Sequence, residues 1–426
     1  MGLFIEDIVG EVISQCLPDK IVEQELSKLG KTKGKTIIIS IGKASYQMAK
    51  AVTNYGFEYD QGIVITKYNH LFGDIEKMEC YEAGHPIPDS NSIKATDRAI
   101  ELVSDLTEDD LVIMLISGGG SALFESPIID LKELENITHQ MLSRGADINE
   151  INTIRKRLSK VKGGKFAKIA SPAKVYNIIL SDVLSNRADV IASGPTSEDI
   201  SKSDEAIQIV KKYNLDISDS TLEVLKSETV NSLNNVTTII SGSTEKLCLA
   251  TKNSLEERGY AVDILTSTMN CEAREAGSLI GSIAKYKSNT EEKKAYIFGG
   301  ETVVNLKGEG KGGRNQEIAF AACKQIHNIE NVMVASFSSD GTDGPTDASG
   351  AYSTGDTYTK LNDLGIRYDD VINNSDTYTA FKKINQLIVT GPTGTNINDV
   401  SIILINWGGV GWLEAEIYGL KVWQTI

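Results

Sequence analysis

The chain has 426 residues, 41% hydrophobic and 24% charged, which is globular in composition and too long for one small core; two α/β domains are the prior. A formal net charge of −15 argues against a nucleic-acid surface and requires any phosphate site to be locally positive or bridged by a metal. No apolar run is long enough for a membrane span and residues 1–7 are too acidic for a signal peptide; with five scattered cysteines, no CxxC pair and no metal-ligand spacing among four histidines, the expectation is a cytoplasmic protein with reduced thiols.

The first predicted strand is 36–41 (TIIISI), closed by Gly42, with a helix expected over 43–52 whose Ala44, Met48 and Ala49 share faces. Lys43 stands where a helix N-terminus repels a cation, so a neighbouring anion would remove the conflict; otherwise it is a solvated surface lysine. Strands at 62–66, 111–116 and 174–180 follow, and apolar runs alternating with helices read as a parallel sheet covered on both faces. After 111–116 comes Ser117-Gly118-Gly119-Gly120-Ser121, whose glycines either admit a phosphate or form a tight turn. It is neither a Walker A loop nor a Gly-x-Gly-x-x-Gly fingerprint. Asn152, Arg155-Lys156-Arg157 and Lys162-Gly163-Gly164-Lys165 make the densest basic cluster, read as a solvated helix face or as a local positive field. Asp182, at the carboxyl end of 174–180, is a candidate magnesium ligand or a simple turn residue.

The pattern weakens over 197–235, and a second strand series opens at 236–240, continuing at 261–265, 295–298, 332–336 and 402–405. The expected domains are therefore 1–235 and 236–406. Six glycines within 299–313 precede Arg314-Asn315-Gln316-Glu317, four polar residues opening a helix. A hairpin of 295–298 with 302–307 is the plainer reading, and it leaves the polar cluster unexplained. Asp340, Asp343 and Asp347 have oxygen-ligand spacing for a divalent cation without being an EF-hand; an acidic turn is the alternative. All three tryptophans fall within 407–426, which marks either an appended tail or a terminal helix docked on the core.

Taken in order, Gly42-Lys43-Ala44, Gly84-His85-Pro86, Ser117 to Leu123, Asn152 with Arg155, Lys162-Gly163-Gly164, Ser181-Asp182-Val183, Ser193-Gly194-Pro195-Thr196, Gly299-Gly300-Glu301-Thr302, Gly312 to Glu317, Asp340 to Asp347 and Gly391 to Asn396 resemble the glycerate 2-kinases of the MOFRL type. The resemblance covers almost the whole chain. It implies a Rossmann-like, three-layer N-terminal domain with a largely parallel sheet, a smaller α/β C-terminal domain, and an active site in the cleft between them. It also implies ATP and Mg²⁺ (or another divalent cation), with D-glycerate phosphorylated to 2-phosphoglycerate. Lys43, Arg314 and Asp340 map onto the family's catalytic positions. Ser117, Gly118, Gly119, Gly120, Ser121, Arg155, Lys162, Asn315 and Glu301 are the expected substrate and phosphate ligands, with Asp182 and Asp343 at the metal. The chain departs from the family at Ser185-Asn186, where Gly-Asp is usual. The implied partners are small molecules, with no nucleic acid or membrane and a homodimer left open. The alternatives are a 3-phosphoglycerate product, a nicotinamide-dependent hydroxypyruvate oxidoreductase, or a non-catalytic sugar-phosphate-binding regulator.

Overall fold

The computed structural model describes residues 2–181 and 187–407, which form two compact units. The first, Pro18–Gly242, is built on β1 (Thr36–Ile41), β2 (Gln61–Lys67), β3 (Met78–Ala83), β4 (Leu111–Ile116), β5 (Lys174–Leu180) and β6 (Val236–Gly242). Their order is β3-β2-β1-β4-β5-β6, and every neighbouring pair is parallel. The period of two explains why the central strands read as unbroken apolar runs. Ile37, Ile39 and Ile41 of β1 join Val112, Met114 and Ile116 of β4 in one core, while Ile38, Ile113 and Leu115 face Met48 and Val52 of the helix Ser45–Tyr55 in another. Strand β3 (MECYEA) lies at the sheet edge, and its charged residues hide it from a search for apolar runs.

From β1 the chain runs outward through β2 to β3, then returns to place β4 on the other side of β1. The segments that follow β1 and β4 pack on opposite faces of the sheet, which makes the carboxyl ends of these two strands the switch point where open parallel sheets take ligands.

The second unit comprises the helix Gly2–Gln15 and the described residues from Ser243 onward. It contains β7 (Ala261–Met269), β8 (Lys294–Gly300), β9 (Val332–Ser338), β10 (Gly350–Thr354), β11 (Leu387–Ile388) and β12 (Asp399–Ile405) in the order β11-β10-β9-β12-β8-β7. Only β7 and β8 pair in parallel; the other neighbours are antiparallel. Two differences from the expected division have clear causes. Residues 236–242 complete the first sheet by pairing with β5, instead of opening the second series. The N-terminal helix buries Ile5, Ile8, Val9 and Val12 against Leu247, Leu255 and Ile297, and its Glu11 pairs with Arg258 at 2.7 Å.

The expected hairpin of 295–298 with 302–307 does not form, because both edges of β8 are already taken by β7 and β12. Residues 301–313 run on without a strand, and Gly308, Gly310, Gly312 and Gly313 press against Asn374, Asp376, Thr377 and Asp343. Trp407 is buried in the same core as the N-terminal helix, so it is not part of a loose tail; 408–426 lie outside the described residues. Among the described residues no helix is long and apolar enough to cross a membrane.

Candidate active site

In the first unit the loops after β1 and β4 are locked together. Lys43 N–H donates to the Gly118 carbonyl at 2.9 Å, Ala44 N–H to Ser117 Oγ at 3.0 Å, and Ser117 N–H to the Ile41 carbonyl at 3.0 Å. Gly42 has φ +112° and Gly119 φ +88°, a region that disfavours side chains. Space is as restrictive as the dihedrals. A Cβ on Gly119 would lie 3.1 Å from both the His85 ring and Lys43 Cγ, so lysine stem, imidazole and glycine backbone converge. Lys43 is exposed and makes no ion pair among the described residues. Burial holds the His85 pKa below its ordinary value, and the Lys43 and Lys67 charges push it the same way, favouring the neutral ring.

The basic cluster separates into structural cations and one exception. Lys156 pairs with Asp199 at 3.3 Å, and the Arg157 guanidinium holds Ser201 and Glu228. Lys165 donates to the carbonyls of Lys156, Arg157 and Ser159, and burial lowers its pKa to about 8. Lys162, expected as a ligand, is wholly buried, with Glu125 at 3.1 Å and the Phe124 carbonyl at 2.7 Å. It cannot reach a substrate. Arg155 alone has no hydrogen bond or ion pair among the described residues, and burial depresses its pKa against the pull of Glu125. Asp182 falls outside the described residues.

The second unit holds a cleft of about 530 Å³ lined by Thr302, Gly313, Arg314, Glu317, Asp340 and Thr342, among others. Arg314 opens the helix Arg314–Gln325. Its Nε and Nη2 grip Asp399 at 2.5 and 3.1 Å, and Nη1 reaches Glu301 at 2.9 Å. Burial alone would weaken the arginine's charge, but the Asp399 hydrogen bond and the Asp399 and Glu301 charges more than restore it, so its pKa is raised. Burial also pushes Asp399 up, with the Arg314 contact opposing. Asp340 Oδ1 accepts from Ser338 Oγ, Thr342 N–H and Thr342 Oγ1 at 2.9–3.0 Å. Its Oδ2 has no hydrogen-bond partner among the described residues.

Two expected ligands are structural instead. Asp343 is buried in the wall of the same cleft; its Oδ1 accepts from Asn315 N–H at 3.0 Å and its Oδ2 from Gln316 N–H at 2.8 Å, so both oxygens are engaged in capping the helix. Asn315 is completely buried, binding Asp343 and accepting from Ser336 Oγ at 2.6 Å. Among the described residues no three His, Cys, Asp or Glu side chains are grouped to hold a metal.

Sequence reasoning passed over Asp399, although one acidic residue opening an otherwise apolar buried strand is a visible signal. It also left Glu317 without a role. That carboxyl lines the cleft with its pKa raised to about 7 by burial, Arg274 opposing.

Residues 4–226 match a family model described as a domain of unknown function (DUF4147), and residues 294–399 match the MOFRL family. The D-glycerate 2-kinase of Thermotoga maritima is 46% identical over 406 residues, 94% of this chain and 97% of that protein. The glycerate 2-kinase of Pyrococcus horikoshii is 39% identical over 408 residues, 91% of this chain and 90% of that one. A crystal structure of glycerate kinase from Thermotoga maritima superposes with a TM-score of 0.91 at 45% identity, covering 95% of this chain and 99% of the other.

Proposed function

The chain belongs to the MOFRL-type glycerate kinase family, and from that premise we propose that it transfers the γ-phosphoryl group of ATP to the 2-hydroxyl of D-glycerate, giving 2-phosphoglycerate and ADP. The observation that carries this reading is 46% identity to a D-glycerate 2-kinase across 94% of the chain. Local geometry supports it. The crevice after β1 and β4 carries an unpaired lysine beside a glycine turn, as a polyphosphate requires, and lacks the Gly-x-Gly-x-x-Gly fingerprint of a nicotinamide site.

Phosphoryl transfer asks for positioning and charge neutralisation more than covalent chemistry. The C2 hydroxyl oxygen bonds to the γ-phosphorus as the bond to the bridging oxygen of ADP breaks. In this proposal Lys43 and the 118–120 backbone neutralise phosphate oxygens, Arg314 meets the charge that develops on the transferred group, and Asp340 orients the hydroxyl and takes its proton. Mg²⁺ would come with ATP as part of the substrate, and Asp340, whose Oδ1 is held by Ser338 and Thr342, would offer its Oδ2 to it.

The test is an ADP-release assay with D-glycerate and ATP, followed by an NMR spectrum of the product. ADP release with a phosphorus coupled to the C2 proton is expected. Coupling to the C3 protons would replace the reading by a 3-kinase, and binding without turnover would leave only a sensor.

A further inference from the structure

The proposed phosphate loop adjoins a polar group that is internally incomplete. Ser193 Oγ donates to Asn152 Oδ1 at 3.0 Å, and Ser121 Oγ lies 3.0 Å from Ser193 Oγ. With the asparagine oxygen fixed, Nδ2 must point the other way, where it is buried with no hydrogen-bond partner, in a residue only 4% exposed. An orphaned buried donor of this kind is destabilising unless something accepts from it. Arg155 follows Asn152 by three residues on the helix Ile148–Leu158, hence on the same face, and is the basic residue of the cluster left without a partner.

The charges do not balance either. Glu125 is already paired with Lys162, and it also faces Arg155 and Lys165 electrostatically without an ion pair to either. Lys165 also feels Asp199 and donates to three carbonyls, whereas the Arg155 charge is offset by a carboxylate already committed to Lys162, although interiors normally pair their charges. The backbone under the group is strained as well. Ala192 and Ser193 take φ +52° and +59°, uncommon for side-chain-bearing residues, and are pinned by Gly163 N–H to the Ser193 carbonyl at 3.1 Å and Gly164 N–H to the Gly194 carbonyl at 2.8 Å. Backbone strain held in place beside unsatisfied donors is characteristic of ligand-binding sites.

We infer that Asn152, Arg155, Ser121 and Ser193 form a carboxylate pocket that takes the acid end of a small 2-hydroxy acid. A guanidinium and an adjacent amide N–H offer two donors to the two oxygens of a carboxylate, and a single anion offsets the surplus positive charge. A triphosphate would bring several charges to one free cation here. The inference deepens the kinase reading and names which part of the substrate this side of the sheet holds.

The experiment pairs kinetics with direct binding, on Arg155→Met and Asn152→Ala and on the unaltered protein. KM for D-glycerate is expected to rise roughly 10- to 100-fold in each variant, the loss of a charge-assisted hydrogen bond, while KM for ATP stays within about twofold. Calorimetry without nucleotide should show D-glycerate binding to the unaltered protein and not to Arg155→Met, with glycerol binding to neither. A rise in KM for ATP with that for glycerate unchanged would make this a phosphate site and overturn the inference, as would unchanged glycerate affinity in both variants. Asn152→Ala keeps the test decisive should Arg155→Met fail to fold. If the unaltered protein binds glycerate through Arg155 yet releases no ADP, the pocket stands and the kinase reading falls.

Discussion

The two units concentrate opposite deficits. Around the crevice of the first sheet there are donors without acceptors: the Lys43 ammonium, the Arg155 guanidinium and Asn152 Nδ2 have no partner among the described residues. In the second unit carboxyls outnumber cations: Asp340, Asp343 and Glu317 line the cleft with Arg314, which is itself held by Asp399 and Glu301. One surface is short of an anion and the other of a cation.

The largest test is removal of the one cation in the acidic cleft. Arg314→Met leaves Asp399 buried and unpaired, which should cost on the order of 3 kcal/mol, a fall in Tm of roughly 6–12 °C, together with turnover. Arg155→Met, by contrast, removes a charge that forms no ion pair and is offset only in part by Glu125, and should leave Tm unchanged or higher. Thermal scans of the two variants side by side decide it; equal destabilisation would abolish the contrast. Next in size is Lys43→Ala, expected to lower kcat by roughly two to three orders of magnitude with Tm within a degree or two, since the side chain is exposed and unpaired. Near-normal turnover would remove Lys43 from the chemistry.

Much of this was legible in the sequence, for identifiable reasons. Strands such as TIIISI and LVIMLI must be buried on both faces, and glycines at 42 and 118–120 mark the turns that follow them. What stayed hidden depends on tertiary partners. Nothing local distinguishes Arg155 from Arg157, yet one is orphaned and the other is held by Ser201 and Glu228. Asp340 and Asp343 share a motif and both line the cleft, but a Cβ on Gly313 would lie 2.2 Å from Asp343 Cγ, and that close approach lets Asp343 cap the helix while the Asp340 carboxylate accepts from Ser338 and Thr342 beside it. The edge strand β3 and the short β10 are defined by pairing, not by hydrophobicity.

The surplus of carboxyls also predicts a pH dependence. Burial raises Glu317 to about 7, with Arg274 and Lys307 opposing and Glu272 and Asp343 adding to the rise; burial raises Asp343 to about 6 against the Gln316 and Asn315 amides. In the unfolded chain both titrate near 4. A folded-state pKa above the unfolded one means the folded protein holds protons the unfolded chain has lost. The contribution is therefore complete below about pH 4 and declines as pH rises through 6 and 7. Denaturant unfolding between pH 5 and 8 should show stability from these groups falling with pH, and Glu317→Gln should flatten that slope. An unchanged slope would mean Glu317 is ionised in the fold.

The smallest expected effect is the most discriminating about Arg314. Glu301 stood in the sequence as a substrate ligand, but here its carboxylate lies 2.9 Å from Arg314 Nη1 with its side chain 43% exposed. A half-exposed pair of this kind contributes at most about 1 kcal/mol. Glu301→Gln should therefore leave Tm within about 3 °C, and it opens one edge of the guanidinium to an incoming anion. If Glu301 is only a counter-ion that the phosphate must displace, KM for ATP falls by roughly two- to fivefold and kcat holds, a fold-change that corresponds to less than about 1 kcal/mol. If Glu301 binds the substrate or its metal directly, kcat falls with the substitution, and higher Mg²⁺ restores part of it. The direction of the change in KM thus separates an arginine held in reserve by its neighbours from one whose neighbours are themselves part of the site.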